Sequence, residues 1–140
     1  MNTSRIVLFA HGSMDPSWTG TFERIAQTMK SAMGEDRVRL AYLQFATPTL
    51  SQVATEAVLD GVQNLYVLPL FLSSGGHVAR DLPSIIVSAR RSHPKLNIEV
   101  MMPVGEDARF ATLVGTLIWE VLEREQLTGA GTGLMPGASA

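Results

Sequence analysis

The chain has 140 residues, 46% of them apolar and 17% charged, with a formal net charge of −2 and no cysteine. That length predicts one ordinary domain with its own core, and the composition excludes a disordered or fibrous chain. The weakly acidic balance offers no basic field to nucleic acid. The lack of cysteine removes disulfides, thiolate catalysis and cysteine zinc sites, leaving His, Asp, Glu and backbone groups for any metal chemistry.

In chain order, residues 6–10 (IVLFA) form an apolar run of strand length that ends on His11. At about six residues the run is too short for a signal core or a membrane span, so the expected setting is the cytoplasm, with no membrane partner. Residues 18–33 carry Phe22, Ile25, Ala26, Met29 and Met33 at helical spacing, and Gly34 ends that helix. Strand 38–45 (VRLAYLQF) follows, then helix 50–60, opened by Pro48 and Thr49 and closed by Gly61. Strand 65–71 (LYVLPLF) leads through SSGGH to helix 82–92, with Pro94 beyond it. Strand 98–102 (IEVMM) and a helix over 109–125, apolar at Phe110, Leu113, Leu117, Val121 and Leu122, complete the pattern. Residues 126–140 are rich in Gly, Ala and Thr and have no period. They are expected to be a flexible tail to a single domain over 1–125.

Apolar residues on consecutive positions of the first and third strands indicate burial on both faces, hence a parallel sheet. Strands alternating with helices, joined by right-handed crossovers, predict an α/β three-layer sandwich. It would have roughly four parallel strands in the flavodoxin-like order 2-1-3-4 and helices on both faces. Ligands of such sheets bind beyond the carboxyl ends of the strands where the order reverses, between the first strand and the third. His11 leaves the first and the loop bearing His77 leaves the third, so both rings are expected at one crevice.

Each candidate has a plainer role beside its chemical one. His11 can be a ligand or simply satisfy backbone carbonyls at a strand end. Gly12 lets the backbone approach something closely. Ser73-Ser74-Gly75-Gly76 can make an anion-binding nest or an ordinary loop, and no Walker lysine follows. Asp81 is expected to cap the helix that continues through Leu82-Pro83, ahead of a role beside His77. His93 suits a helix C-terminus, Met101 and Met102 suit the core, and Asp15, Glu106 and Asp107 are loop carboxylates. Ala10 stands where a phosphohistidine phosphatase has arginine, and neither G-x-S-x-G nor a strand-linked G-x-G-x-x-G occurs.

The stretches LFAHGSMDP (8–16), LAYLQFATPTL (40–50) and VLPLFLSSGGHVARDLP (67–83), with HP at 93–94 and proline at 103, resemble the short single-domain sirohydrochlorin chelatases. The resemblance runs from about residue 5 to about 122 and rests on the joint occurrence of both histidine motifs. It implies insertion of Co²⁺, Fe²⁺ or Ni²⁺ into a carboxylate-rimmed tetrapyrrole, with the metal as substrate and no organic cofactor. His11 and His77 take the positions of the metal-site pair. Gly12, Ser13, Gln44, Ser73, Ser74, Gly75, Gly76 and Arg80 are expected to meet the macrocycle or its carboxylates. A small sheet offers a shallow crevice, so a homodimer with a shared cavity is expected. Gln44 replaces the common glutamate and Met14 the common arginine. The second expectation is therefore a metal- or tetrapyrrole-binding protein, such as a metallochaperone, of the same fold.

Overall fold

A computed structural model describes residues 3–73 and 75–128, with residues 77–79 described by backbone alone. It divides into two units, residues 1–106 and residues 107–140.

The first unit is a four-stranded parallel sheet in the order β2-β1-β3-β4, formed by β1 (Ser4–Ala10), β2 (Val38–Tyr42), β3 (Asn64–Pro69) and β4 (Asn97–Val100). Central β1 pairs with both neighbours, Leu8 facing Leu40 on one side and Leu68 on the other. Alternation divides its side chains between two cores. Val7 and Phe9 join Ala41, Leu65, Val67 and Ile98 beneath α2 (Leu50–Leu59) and α3 (His77–Ser92), which contribute Val53, Ala57, Ile86 and Ala89. Leu8 faces the opposite way, toward Val38 and Ala26 of α1 (Gly20–Met33). Helices thus cover both faces, as the consecutive apolar positions require.

Capping explains the helix starts and stops. Thr49 accepts from the Gln52 amide and the Gln52 side chain accepts from the Thr49 amide, a reciprocal box that starts α2. Gly34, at φ 114, ends α1. At the amino-terminal edge of the sheet buried Arg5 ties strand to helix, donating to Asp60 at 3.0 Å and to the Asp36 carbonyl at 2.9 Å.

Four expectations need correction. β2 ends at Tyr42, because the Tyr42 amide donates to the Pro48 carbonyl and Phe45 turns the chain at φ 61. α3 begins at His77, so Pro83 lies inside the helix with its ring exposed. Asp81 sits within α3 and caps nothing there, since the N-cap is Gly76. Met101 and Met102 are 39% and 54% exposed, since the strand has ended at Val100 and the chain is leaving the sheet.

Among the described residues the second unit holds one helix, α4 (Ala108–Leu127), started by Asp107, whose side chain accepts from the Arg109 amide. Leu113, Leu117 and Val121 follow one another at four-residue steps along it. Gln126 and Leu127 of the expected tail belong to this helix, and residues 129–140 lie outside the described residues.

Candidate functional site

The carboxyl ends of β1, β2 and β3 surround His11. Beyond Ala10 the ladder to β2 persists for two bonds, Leu43 amide to Ala10 carbonyl at 2.8 Å and Gln44 amide to His11 carbonyl at 3.1 Å. Gly12 then turns away at φ 82, and a Cβ there would overlap the Gln44 carbonyl oxygen, so only glycine lets the two loops touch. On the other side the Leu70 amide donates to the Phe9 carbonyl at 2.8 Å, which carries the β3 exit past the same point.

These bonds fix the backbone on either side of His11, and one side chain braces its ring. The imidazole, on a solvent-exposed residue, lies over Phe71 with centroids 4.5 Å apart and planes at 50°. Phe71 in turn meets Phe9 edge-on at 5.9 Å. Phe71 is itself 4% exposed, so the ring beneath the histidine belongs to the core. A titratable, metal-capable group thus stands at the edge of water on a rigid base.

His11, Gly12, Ser13, Trp18, Thr19 and Phe22 line a cavity of about 400 Å³ between the β1 exit and the start of α1. The turn from Pro16 to Trp18, which brings Trp18 to this cavity, is capped by Asp15. That carboxylate accepts from the Ser17 amide, a bond that holds its pKa below the usual value. Ser13 Oγ accepts from the Asp15 amide at 3.1 Å. Asp107 is likewise engaged in capping, and Arg109 holds its carboxyl well below the carboxylate range. Both loop carboxylates therefore serve helix starts. Tyr42, at the β2 exit, has a buried hydroxyl with no partner among the described residues. Burial first, and the Glu23 charge second, push its pKa up.

The other predicted positions fall on neighbouring loops. Gln44 is exposed beside Gly12, Ser73 and Gly75 are exposed beyond β3, and Gly76 at φ 80 opens α3 with no side-chain cap. Arg80 is exposed on the next turn of that helix. Ser74 and the side chain of His77 lie outside the described residues, although the His77 backbone begins α3. The topology does bring the β1 exit and the start of α3 to adjacent strands at one end of the sheet. His93 is elsewhere, at the end of α3, with Nε2 3.2 Å from Thr55 Oγ1. A larger cavity of about 690 Å³ lies between α3 and β4. Its walls are largely apolar, and its Arg90 is tied to the Ile98 carbonyl at 2.6 Å, so it lacks the chemistry of the His11 site.

Sequence reasoning missed Trp18 as a cavity wall and the bracing of His11 by Phe71. The first had a signal, an aromatic residue in the turn that follows the His11 motif. The second depends on tertiary contact alone.

Fold and site define a parallel α/β protein with an imidazole presented at the reversal point of its sheet. The family model described as CbiX matches residues 5–121, and the chain belongs to that family. It is similar to the sirohydrochlorin cobaltochelatase of Sulfurisphaera tokodaii, with 26% identity over 117 residues that cover 84% of this chain and 92% of that protein. It is also similar to the crystal structure of a CbiX protein from Marinobacter aquaeolei VT8, at 32% identity and a TM-score of 0.78, covering 88% and 98% of the two chains. The sirohydrochlorin chelatase SirB from Bacillus subtilis subspecies spizizenii, in complex with cobalt, shares the fold at 21% identity. Its TM-score is 0.74 over 86% of this chain and 51% of that one.

Proposed function

We propose that the protein is a metal chelatase that inserts a divalent ion, Co²⁺, Fe²⁺ or Ni²⁺, into sirohydrochlorin or a closely related tetrapyrrole. The observation that carries this reading is His11, exposed at the sheet's reversal point and braced by a buried phenyl ring. The name of the Sulfurisphaera relative gives the reading its substrate class. Imidazole nitrogen suits these borderline ions. His11 and His77 together hold the incoming ion as substrate while leaving positions open for pyrrole nitrogens. Insertion releases two pyrrole protons. Gln44 cannot act as a carboxylate base, so the two imidazoles, each freed as the metal leaves, take one proton apiece in this chain. The exposed glycines Gly75 and Gly76 admit the flat ligand to the backbone. Ser13, Ser73, Ser74, Arg80 and the uncapped start of α3 supply donors to its carboxylates. No organic cofactor enters the reaction.

A homodimer belongs to the same reading. The four-stranded unit offers one shallow crevice, and a second copy would close it with its own histidines. Cytoplasmic location is part of the reading, and no helix among the described residues is long and apolar enough to cross a membrane. Gln44 favours one alternative, a protein that binds metal or tetrapyrrole without turnover, as a metallochaperone would. Anaerobic mixing of sirohydrochlorin with each ion, followed by absorbance with and without the protein, separates the two. A chelatase raises the rate for at least one ion. A binder saturates stoichiometrically and leaves every rate at its spontaneous value.

A further inference from the structure

Among the described residues, four large apolar side chains on the loops at the sheet's carboxyl end are strongly exposed: Met14 at 81%, Trp18 and Leu72 at 69%, and Phe45 at 63%. Trp18 lines the cavity that holds His11. Its backbone is rigidly set, because the Trp18 amide donates to the Asp15 carbonyl at 3.1 Å within the turn that Asp15 caps. Phe22 stands behind it as the inner aromatic wall, on the first turns of α1. The indole N–H has no hydrogen-bond partner among the described residues. An aromatic ring held in water at the wall of a cavity that also holds a metal-capable group leaves apolar surface that a bound ligand would cover.

From this we infer that Trp18 is a substrate-positioning residue, the aromatic wall against which one edge of the tetrapyrrole packs while its centre reaches His11. The inference rests on the chelatase reading and adds a contact to it. An indole offers two things the macrocycle needs, a π-face for a conjugated ring and one N–H donor for a carboxylate at its rim. The cavity's size agrees, since about 400 Å³ takes an edge of a large flat ligand rather than its whole. A second protein copy is the poorer occupant, because the feature is a concave pocket reaching to Phe22 rather than a raised patch. The wall also orients the ring. With one edge held, the pyrrole nitrogens are presented to the ion at a fixed angle, and this lowers the entropy cost of insertion.

The test is a titration of the full-length, metal-free protein with sirohydrochlorin, in which no turnover intervenes. Trp18→Ala is expected to raise Kd about 5- to 100-fold, the range that loss of one ring-on-aromatic contact produces. Trp18→Phe should stay within about 3-fold of wild type, since it keeps the π-face and loses only the donor. In turnover Trp18→Ala should raise KM more than it lowers kcat. Cobalt affinity and sedimentation mass should stay unchanged. Leu59→Ala, an even more exposed apolar site at the far end of α2, should leave Kd unchanged. If wild type binds the tetrapyrrole and Trp18→Ala binds it as tightly, the inference fails while the chelatase reading stands. If Trp18→Ala alters the sedimentation mass, the indole belongs to a contact between chains, and the inference again fails. If wild type neither binds sirohydrochlorin nor accelerates insertion, both readings fall together.

Discussion

Phe71→Leu removes the aromatic surface beneath His11 while leaving an apolar side chain in the core. Phe71 makes two ring contacts, with Phe9 at 5.9 Å and with His11 at 4.5 Å. Each such contact contributes about 0.5–1.5 kcal/mol beyond area burial, so the substitution should cost about 1–3 kcal/mol of stability, read from the urea midpoint. The contact with Phe9 is purely structural. The one with His11 also limits the orientations of the imidazole, and its loss should weaken Co²⁺ binding about 2- to 10-fold. Isothermal titration of the variant with Co²⁺ measures that part separately. A protein that loses stability as expected yet binds Co²⁺ with wild-type affinity would refute the argument that Phe71 orients the imidazole.

Three further outcomes follow from named contacts. Gly12→Ala puts a Cβ into the Gln44 carbonyl at φ 82; it should cost at least about 2 kcal/mol and slow insertion, checked by thermal melting beside the absorbance assay. Arg5→Ala should destabilise by about 1–3 kcal/mol and leave metal affinity untouched. The cost falls below that of a fully buried pair because Asp60 and Glu56 are 47% and 42% exposed, as paired urea and Co²⁺ titrations would register. Asp15 has a depressed pKa, so the stability it contributes is present above 3.8 and fades as pH falls through its lower folded value. The stability gap between wild type and Asp15→Ala should therefore be constant near neutrality and close in acid, whereas a gap that widened on acidification would contradict the cap.

Strand order was legible because unbroken apolar runs such as IVLFA require two buried faces, and right-handed crossovers leave few topologies for four such strands. The capping box at Thr49 and the stop at Gly34 were legible because both act through local backbone geometry. The start of α3 was not. Pro83 reads as a first-turn residue, yet the helix begins six residues earlier at His77, directly after Gly76 turns the chain at φ 80. Proline removes only one donor there, and its ring points to water. The β2 terminus failed for a related reason, since nothing in YLQFATP announces a left-handed Phe45. At the site, His11 could be placed from topology alone. Its support could not, because Phe71 and His11 meet only through the packing of β3 beside β1. Trp18 was read as the first residue of a helix, where an exposed indole draws no notice.

The chelatase account depends most directly on two imidazoles acting as one unit on the metal. The initial rate of Co²⁺ insertion into sirohydrochlorin, compared among wild type, His11→Ala, His77→Ala and the double variant, tests that dependence. Residues that work as a unit lose most of the acceleration at the first removal, so each single variant should fall close to the double variant and to the spontaneous rate. Wild-type rates in either single variant, or no acceleration by the unaltered protein, would contradict the account.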